Sequence, residues 1–233
     1  CEAARPPAAR RRRAPSGCRV TKRIFDLLVA AIGLVVLSPL FLVMAVWIKV
    51  DSPGPVFYRG ERIARGGGTF RIFKFRSMVV NADRTGVSST GADDRRVTPS
   101  GQFIRRFKLD EFAQLLNVLA GEMSLVGPRP EVMRYLPMYA GEYAGILVAR
   151  PGITDWASIW NNDEGAVLAG HPDADLAYER LIQPTKLQLQ LRYVRERTFW
   201  IDLGLLFATV RSLIDGNYYP AALRHTPRLT PRA

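Results

Sequence analysis

Asp110 and Glu111 are adjacent carboxylates in a stretch crowded with cations. Arg105, Arg106 and Lys108 come just before them, Arg129 follows in "GPRP", and Lys74 and Arg76 lie upstream in "FKFRSM". An acidic pair in the first turn of a helix needs no chemistry to explain it, because the positive end of the helix dipole favours negative charge there. The surrounding cations change that reading. They favour the ionised form of both groups at neutral pH. An ionised Asp can act as a nucleophile toward phosphorus, and a neighbouring carboxylate can hold Mg²⁺ together with substrate phosphates. Arginines would then stabilise charge on the equatorial oxygens of a transferring phosphoryl group.

The elements that must position these residues are legible in outline. Residues 101–120 (GQFIRRFKLDEFAQLLNVLA) contain an amphipathic helix, with Leu109, Phe112, Leu116 and Leu119 at helical spacing and the acidic pair in its first turn. "GEMSLVGPRP" ends it with glycine and proline. "VFYRGERI" and "TFRIFKFRSM", separated by "ARGGG", read as a small β-hairpin. Alternation along its second strand puts Phe70, Ile72, Lys74 and Arg76 on one face, so that the two cations either grip phosphate or guard a solvated edge. The polar segment 80–100 reads as a long binding loop or lid. Residues 131–149 and 173–197 read as helices. "ARPGITDWASIWNNDEG" is a turn-rich loop in which Trp156 and Asn161 are candidate contacts.

A membrane segment lies upstream. No charge occurs between Leu27 and Ile48, about 22 residues or roughly 30 Å of helix. Pro39, at the middle of this run, removes a backbone donor and forces a bend, which the hydroxyl of Ser38 favours. Both flanks are basic: Arg19, Lys22 and Arg23 on one side, and Lys49, Arg59, Arg62 and Arg65 on the other. A straight span would put one cluster on the wrong side of the bilayer. A re-entrant helix broken at Ser38-Pro39 leaves both on the cytoplasmic side. The apolar run is also too long for the core of a signal peptide and is not followed by a small-residue cleavage site. Phe199–Ile214 is a second apolar helix that carries Asp202 and Arg211; it is a little short to span, and reads as buried, interfacial or part of a homo-oligomer contact.

The chain has 233 residues, 48% of them apolar, and a net charge of +12. This excludes a disordered chain and implies a partner bearing phosphates: nucleic acid, anionic lipid or a phosphorylated substrate. The two cysteines, Cys1 and Cys18, argue against a disulfide framework, and the two histidines, His171 and His225, leave no zinc cluster. The expected organisation is a disordered basic arm over 1–19, a membrane helix over 20–50, a catalytic domain over 51–215 and a basic tail over 216–233. The fold class is α+β, mostly helical, with the re-entrant helix, one small hairpin and amphipathic interfacial helices.

The blocks "KRIFD", "SPGPVFYR", "FKFRSM", "DDRRVT", "GQFIRRFKLDEFAQLLNVLAGEMSLVGPRP" and "RPGIT" together resemble the bacterial sugar transferases, the monotopic phosphoglycosyl transferases, from about Lys22 to Leu213. The resemblance implies an enzyme that passes a sugar-1-phosphate from a UDP-sugar to polyprenol phosphate, commonly undecaprenyl phosphate, releasing UMP and starting surface-glycan (exopolysaccharide) assembly. It implies Asp110 as the nucleophile of a covalent intermediate, Glu111 as the Mg²⁺ ligand, Arg105 near the polyprenol phosphate, and Lys74, Arg76 and Arg129 around the diphosphate. It also implies a re-entrant helix broken at Ser38-Pro39, a place at the bacterial inner membrane with the catalytic domain on the cytoplasmic face, contact with anionic lipids, and no nucleic-acid partner. "YRGERIARGGG" and "PGITDWASIWNNDEG" depart from the family pattern, and the extra N-terminal transmembrane bundle of larger relatives is not expected. The competing readings are a basic membrane scaffold that binds anionic lipid, and a Mg²⁺-dependent membrane phosphatase that would release sugar phosphate to water.

Overall fold

The computed structural model describes residues 16–82, 94–215 and 218–229. Most of the basic arm, and residues 83–93 of the loop expected to act as a lid, lie outside the described residues. The described residues are 62% helical with a few short strands, in keeping with the expected α+β class.

Helix α1 spans Ser16–Asp51, 36 residues, and so starts earlier than expected. It runs without interruption through Ser38 and Pro39. The break expected there takes the form of a missing hydrogen bond rather than of non-helical residues. In a regular helix the Val35 carbonyl would accept from the N–H of residue 39, which proline lacks. The Ser38 hydroxyl donates to that carbonyl instead, at 2.8 Å. One face of α1 carries Ile32, Val35, Val36, Leu42, Val43 and Val46, all exposed. The other face packs on the body at both ends. Near the start, the Ser124 hydroxyl donates to the Asp26 carboxylate at 2.7 Å, and Phe25 meets Phe199 at 5.3 Å. Near the end, Met44 and Ile48 join the core around Phe75 and Ile104, and the Asp51 carboxylate accepts from the Ser100 amide at 3.0 Å.

The expected hairpin forms in a single antiparallel register. Strand β1 (Phe57–Tyr58) pairs with β4 (Lys74–Phe75), and β2 (Glu61–Ile63) pairs with β3 (Thr69–Arg71). Between the two ladders the Phe73 amide donates to the Asn117 side chain at 2.7 Å, while Asn117 donates to the Arg71 carbonyl at 2.9 Å. One amide side chain thus ties the hairpin to the segment carrying the acidic pair. Phe75, on the face opposite Lys74, is also buried, because Phe41 of α1 covers it edge-on at 4.9 Å.

The single helix expected over 101–120 is divided. Helix α2 (Pro99–Arg106) starts at Thr98, whose side chain accepts from the Gly101 amide, and Pro99 suits its first turn. Lys108 then takes a left-handed conformation, φ 53°. A 3₁₀ segment, Leu109–Gln114, carries Asp110 and Glu111, and α3 (Leu115–Ala120) follows. The apolar row at 109, 112, 116 and 119 is not the buried face: Ala113, Gln114, Leu115, Asn117 and Val118 point inward, while Phe103, Phe107 and Leu119 are exposed. Facing apolar rings outward suits elements that lie against lipid.

Strand β5 (Ser124–Val126) runs parallel to β6 (Gly152–Thr154). A Cβ on Gly152 would sit 2.0 Å from the Gly127 nitrogen, so these glycines let "GPRP" and "RPGIT" cross at backbone contact. The helix expected over 131–149 is two 3₁₀ stretches, Met133–Tyr139 and Gly141–Val148. Then come α4 (Trp156–Trp160), α5 (Glu164–Leu168) and α6 (Ala174–Ala177), capped by Asp155, Asp163 and Asp173 respectively. A π-helical turn, Tyr178–Ile182, joins α6 to α7 (Gln183–Glu196), and α8 spans Phe199–Ile214.

In α8 the polarity is inverted. Asp202, Leu205, Ala208 and Ser212 are buried, whereas Trp200, Phe207, Val210 and Ile214 are exposed. Asp202 accepts from the Tyr193 hydroxyl at 2.7 Å and pairs with Lys22 of α1 at 2.7 Å. The described part of the expected basic tail packs on the core. Leu223 is fully buried, the Trp160 indole donates to the Pro227 carbonyl at 2.7 Å, and Arg192 donates to the Ala222 carbonyl at 2.9 Å. Tyr218 and Tyr219 supply the apolar surface that holds this stretch against the core.

Candidate active site

The hairpin, the 3₁₀ segment and the turn after β5 converge on one cavity of about 1580 Å³, lined by Lys74, Arg105, Lys108, Asp110, Glu111 and Arg129, among others. Lys74 extends from β4 between the two carboxylates. Its ammonium is 3.5 Å from Asp110 Oδ2 and 3.4 Å from Glu111 Oε1. The Arg129 guanidinium grips Glu111 with both terminal nitrogens, Nη1 reaching Oε2 at 2.9 Å and Nη2 reaching Oε1. Nη1 also donates to the Ile153 carbonyl at 3.2 Å.

Arg129 is fixed from behind. Its amide donates to Asp155 Oδ2 at 2.9 Å, and the Gln190 side chain donates to its carbonyl at 3.1 Å. The other oxygen of Asp155 caps α4 through the Ser158 amide and hydroxyl, at 2.7 and 2.8 Å. One buried carboxylate therefore sets both the start of α4 and the placement of the arginine. Deeper still, Glu131, Lys186 and Tyr178 form a buried trio, with Lys186 donating to the Tyr178 oxygen at 2.8 Å and both donating to Glu131.

The two carboxylates differ in proton affinity. Glu111 is held well below the usual carboxylate range: burial works against the charge, but Arg129 and Lys74 outweigh it. Asp110 is pushed up, chiefly by burial and further by the Glu111 charge, with Lys74, Arg105 and Arg129 pulling the other way. The expectation of two plainly ionised groups thus holds better for Glu111 than for Asp110, whose surroundings make it the more basic of the pair. A carboxylate made more basic by burial is also a less solvated nucleophile.

Arg76 requires a correction. It edges the cavity, but its guanidinium donates to the carbonyls of Pro55, Pro53 and Ser52 at 2.6, 3.0 and 2.8 Å, and it is only 5% exposed. The geometry makes it a clamp on the turn after α1 rather than a ligand for phosphate. Arg105 lies in the cavity wall. Trp156 packs against the core, whereas Asn161 lines the cavity.

Sequence reasoning passed over three neighbours of the site. The ammonium of Lys108 donates to the carbonyl and side-chain oxygen of Asn162, the former at 2.6 Å, tying the segment before α5 to the turn two residues ahead of Asp110. Burial lowers the pKa of Lys108. Glu164 also lines the cavity, and burial raises its pKa. The third is Asp155 behind Arg129. Lys108 was visible as a nearby cation, but nothing in the sequence signals the left-handed turn that aims it.

No group of three or more His, Cys, Asp or Glu residues forms a metal cluster among the described residues. The two adjacent carboxylates nonetheless supply hard oxygen donors of the kind Mg²⁺ takes one or two of, the rest coming from phosphate and water. Asp110 and Glu111 would hold such an ion, which would supply positive charge beside the substrate phosphates.

Residues 17–216 match the family model described as bacterial sugar transferase. The chain is 37% identical over 198 residues to the UDP-N-acetylgalactosamine-undecaprenyl-phosphate N-acetylgalactosaminephosphotransferase of Aeromonas hydrophila, covering 84% of this chain and 44% of that protein. It is 36% identical over 197 residues to the UDP-glucose:undecaprenyl-phosphate glucose-1-phosphate transferase of Escherichia coli K12, covering 82% and 40%. The exopolysaccharide production protein ExoY of Sinorhizobium fredii is 35% identical over 216 residues, covering 85% of this chain and 88% of its own length. The chain thus spans less than half of the first two relatives and most of the third.

Proposed function

This chain belongs to the bacterial sugar transferase family, and from that premise we propose that it moves a sugar-1-phosphate from a UDP-sugar to a polyprenol phosphate at the membrane surface. The observation that carries the reading is the Asp110 carboxylate, buried beside Lys74 and within the field of Arg129, at the wall of a cavity large enough for a sugar nucleotide. In the first step an Asp110 oxygen attacks the phosphorus that bears the sugar. The bond from that phosphorus to the bridging oxygen breaks, and UMP leaves with the electron pair. In the second step an oxygen of the polyprenol phosphate attacks the same phosphorus, and the bond to Asp110 breaks to regenerate the carboxylate. Two displacements at one site require ping-pong kinetics.

Lys74 neutralises charge that builds between Asp110 and the incoming phosphate, and Arg129 places Glu111 and faces the diphosphate. Mg²⁺, held by Glu111, would neutralise further charge on the phosphate oxygens. Arg105 in the cavity wall is suited to the polyprenol phosphate. Arg76 serves this site by fixing the turn after α1.

The membrane arrangement follows from α1. One folded body holds both ends of this helix, through Asp26 and Phe25 at the start and Ile48 and Asp51 at the end. A body cannot lie on both sides of a bilayer, so α1 enters one leaflet and returns. The exposed rings of α2 and α8 rest at the headgroups, and the basic surface faces anionic lipid on the cytoplasmic side. Incubation with UDP-sugars, with and without polyprenol phosphate, tests the proposal. The enzyme passes sugar phosphate to the lipid. A phosphatase would release it to water, and a scaffold would consume nothing; either result would contradict the reading. EDTA is expected to stop the transfer and Mg²⁺ to restore it.

A further inference from the structure

The cavity that holds the acidic pair does not end there. Helices α1 and α8 meet at a junction formed by Phe25 on Phe199 and Lys22 on Asp202. Beyond that junction both contribute to the lining of the same cavity, Val29, Gly33 and Leu37 from α1 and Leu206, Val210 and Leu213 from α8. The first three lie four residues apart, in one row about 12 Å long. The second three are spaced i, i+4, i+7 and also share a face. Leu125 of β5 and Ile153 of β6 line it as well, as do Thr154, Thr209 and Ser212. Gly33 keeps this wall thin, since even an added Cβ would stand 3.1 Å from the Leu115 side chain.

A cleft with apolar walls on two lipid-facing helices, running to a cluster of cations, matches an amphiphile with a phosphate head and a hydrocarbon tail. It does not match a sugar nucleotide, which is polar along its whole length. We propose that the α1–α8 cleft takes the first isoprene units of the acceptor's tail, so that the acceptor is recognised by its chain as well as by its phosphate. This rests on the transferase reading above. Val29 and Val210 remain exposed, at 38% and 57%, so the cleft is open sideways and a long chain can leave it for the bilayer.

The test compares a long-chain polyprenol phosphate with a short acceptor that has no isoprene units, such as ethyl phosphate, using full-length protein in nanodiscs. Val210→Asp is expected to raise the KM for the long acceptor about tenfold relative to the short one, since displacing a couple of buried methylenes costs about that much. A ratio unchanged from wild type would overturn the proposal. A photoreactive polyprenol phosphate carrying its diazirine near the phosphate end, applied to wild type, gives a readout independent of any variant. Labelling is expected on 29–37 and 206–213. Labelling confined to the outer face at Val35, Val36, Leu42 and Val43 would overturn it. The burst of UMP that wild type releases from UDP-sugar alone reports on the underlying transferase reading separately. A burst with no chain-length effect sinks only the cleft, whereas a missing burst sinks the reading beneath it.

Discussion

Arg129 and Arg76 are both arginines from basic motifs near the acidic pair, yet their geometry separates them. Arg129 binds Glu111 with two parallel hydrogen bonds, a fork that lysine cannot reproduce. Arg129→Lys is therefore expected to lower kcat/KM about a hundredfold, within the range for loss of one charge-stabilising donor. Arg76→Ala strips three carbonyls of their donor in a buried turn and is expected to destabilise the fold by roughly 2–4 kcal/mol, read as a lower Tm. Asp110 predicts a pH effect. In the proposed mechanism only its ionised form attacks phosphorus, and burial raises its pKa above that of an ordinary aspartate, so the acid limb of the first half-reaction should lie above the one an exposed aspartate would give. Lys74→Met removes the cation that most strongly pulls this pKa down and should move the limb further up, measured as UMP release against pH. A limb that stayed in place would dissociate Lys74 from Asp110. The sequence revealed the types and nearness of these residues. It could not reveal the direction of Arg76, because alternation places a side chain on a face without saying whether its tip curls back onto the chain.

At the scale of elements, the legible parts were those set by local chemistry. The Gly-rich hairpin, the Ser-Pro step and the Pro/Gly turns all lie where the residue types require them. The single helix expected over 101–120 divides at Lys108, and its apolar row does not pack on the core as the apolar face of a helix in water would. Against lipid the logic inverts: Phe103 and Phe107 turn outward, while Gln114 and Asn117 turn in. The same inversion runs through α8. Its buried Asp202 anchors Lys22 of α1 and the Tyr193 hydroxyl. Asp202→Ala leaves Lys22 without its nearest partner in a largely buried place and is expected to cost about 3–5 kcal/mol, seen as loss of thermal stability in detergent. The docked tail was illegible for another reason: Leu223 and Tyr219 are single apolar residues with no periodicity, and only the groove they fill gives them meaning.

Across the whole molecule, the positive charge, the apolar helix and the cavity have one orientation. Both ends of α1 pack on the same body, and the proposed arrangement puts the site at headgroup height with the cleft between α1 and α8 facing the lipid. Impermeant maleimide tests this in sealed vesicles of known orientation, using Cys18 and a second cysteine from Glu61→Cys in a Cys1→Ser background. Both sites should react from the same side, and labelling from opposite sides would contradict a re-entrant α1. In the proposed reaction a soluble donor and a lipid acceptor use one cavity in turn, which makes the stored intermediate the heart of the account. The most direct measurement is the intact mass of the purified protein after exposure to its UDP-sugar without acceptor, followed by peptide mapping. The account predicts a gain equal to one sugar phosphate, located on Asp110, absent from Asp110→Asn and discharged by polyprenol phosphate. An unmodified mass during active turnover, or an adduct on another residue, would contradict it.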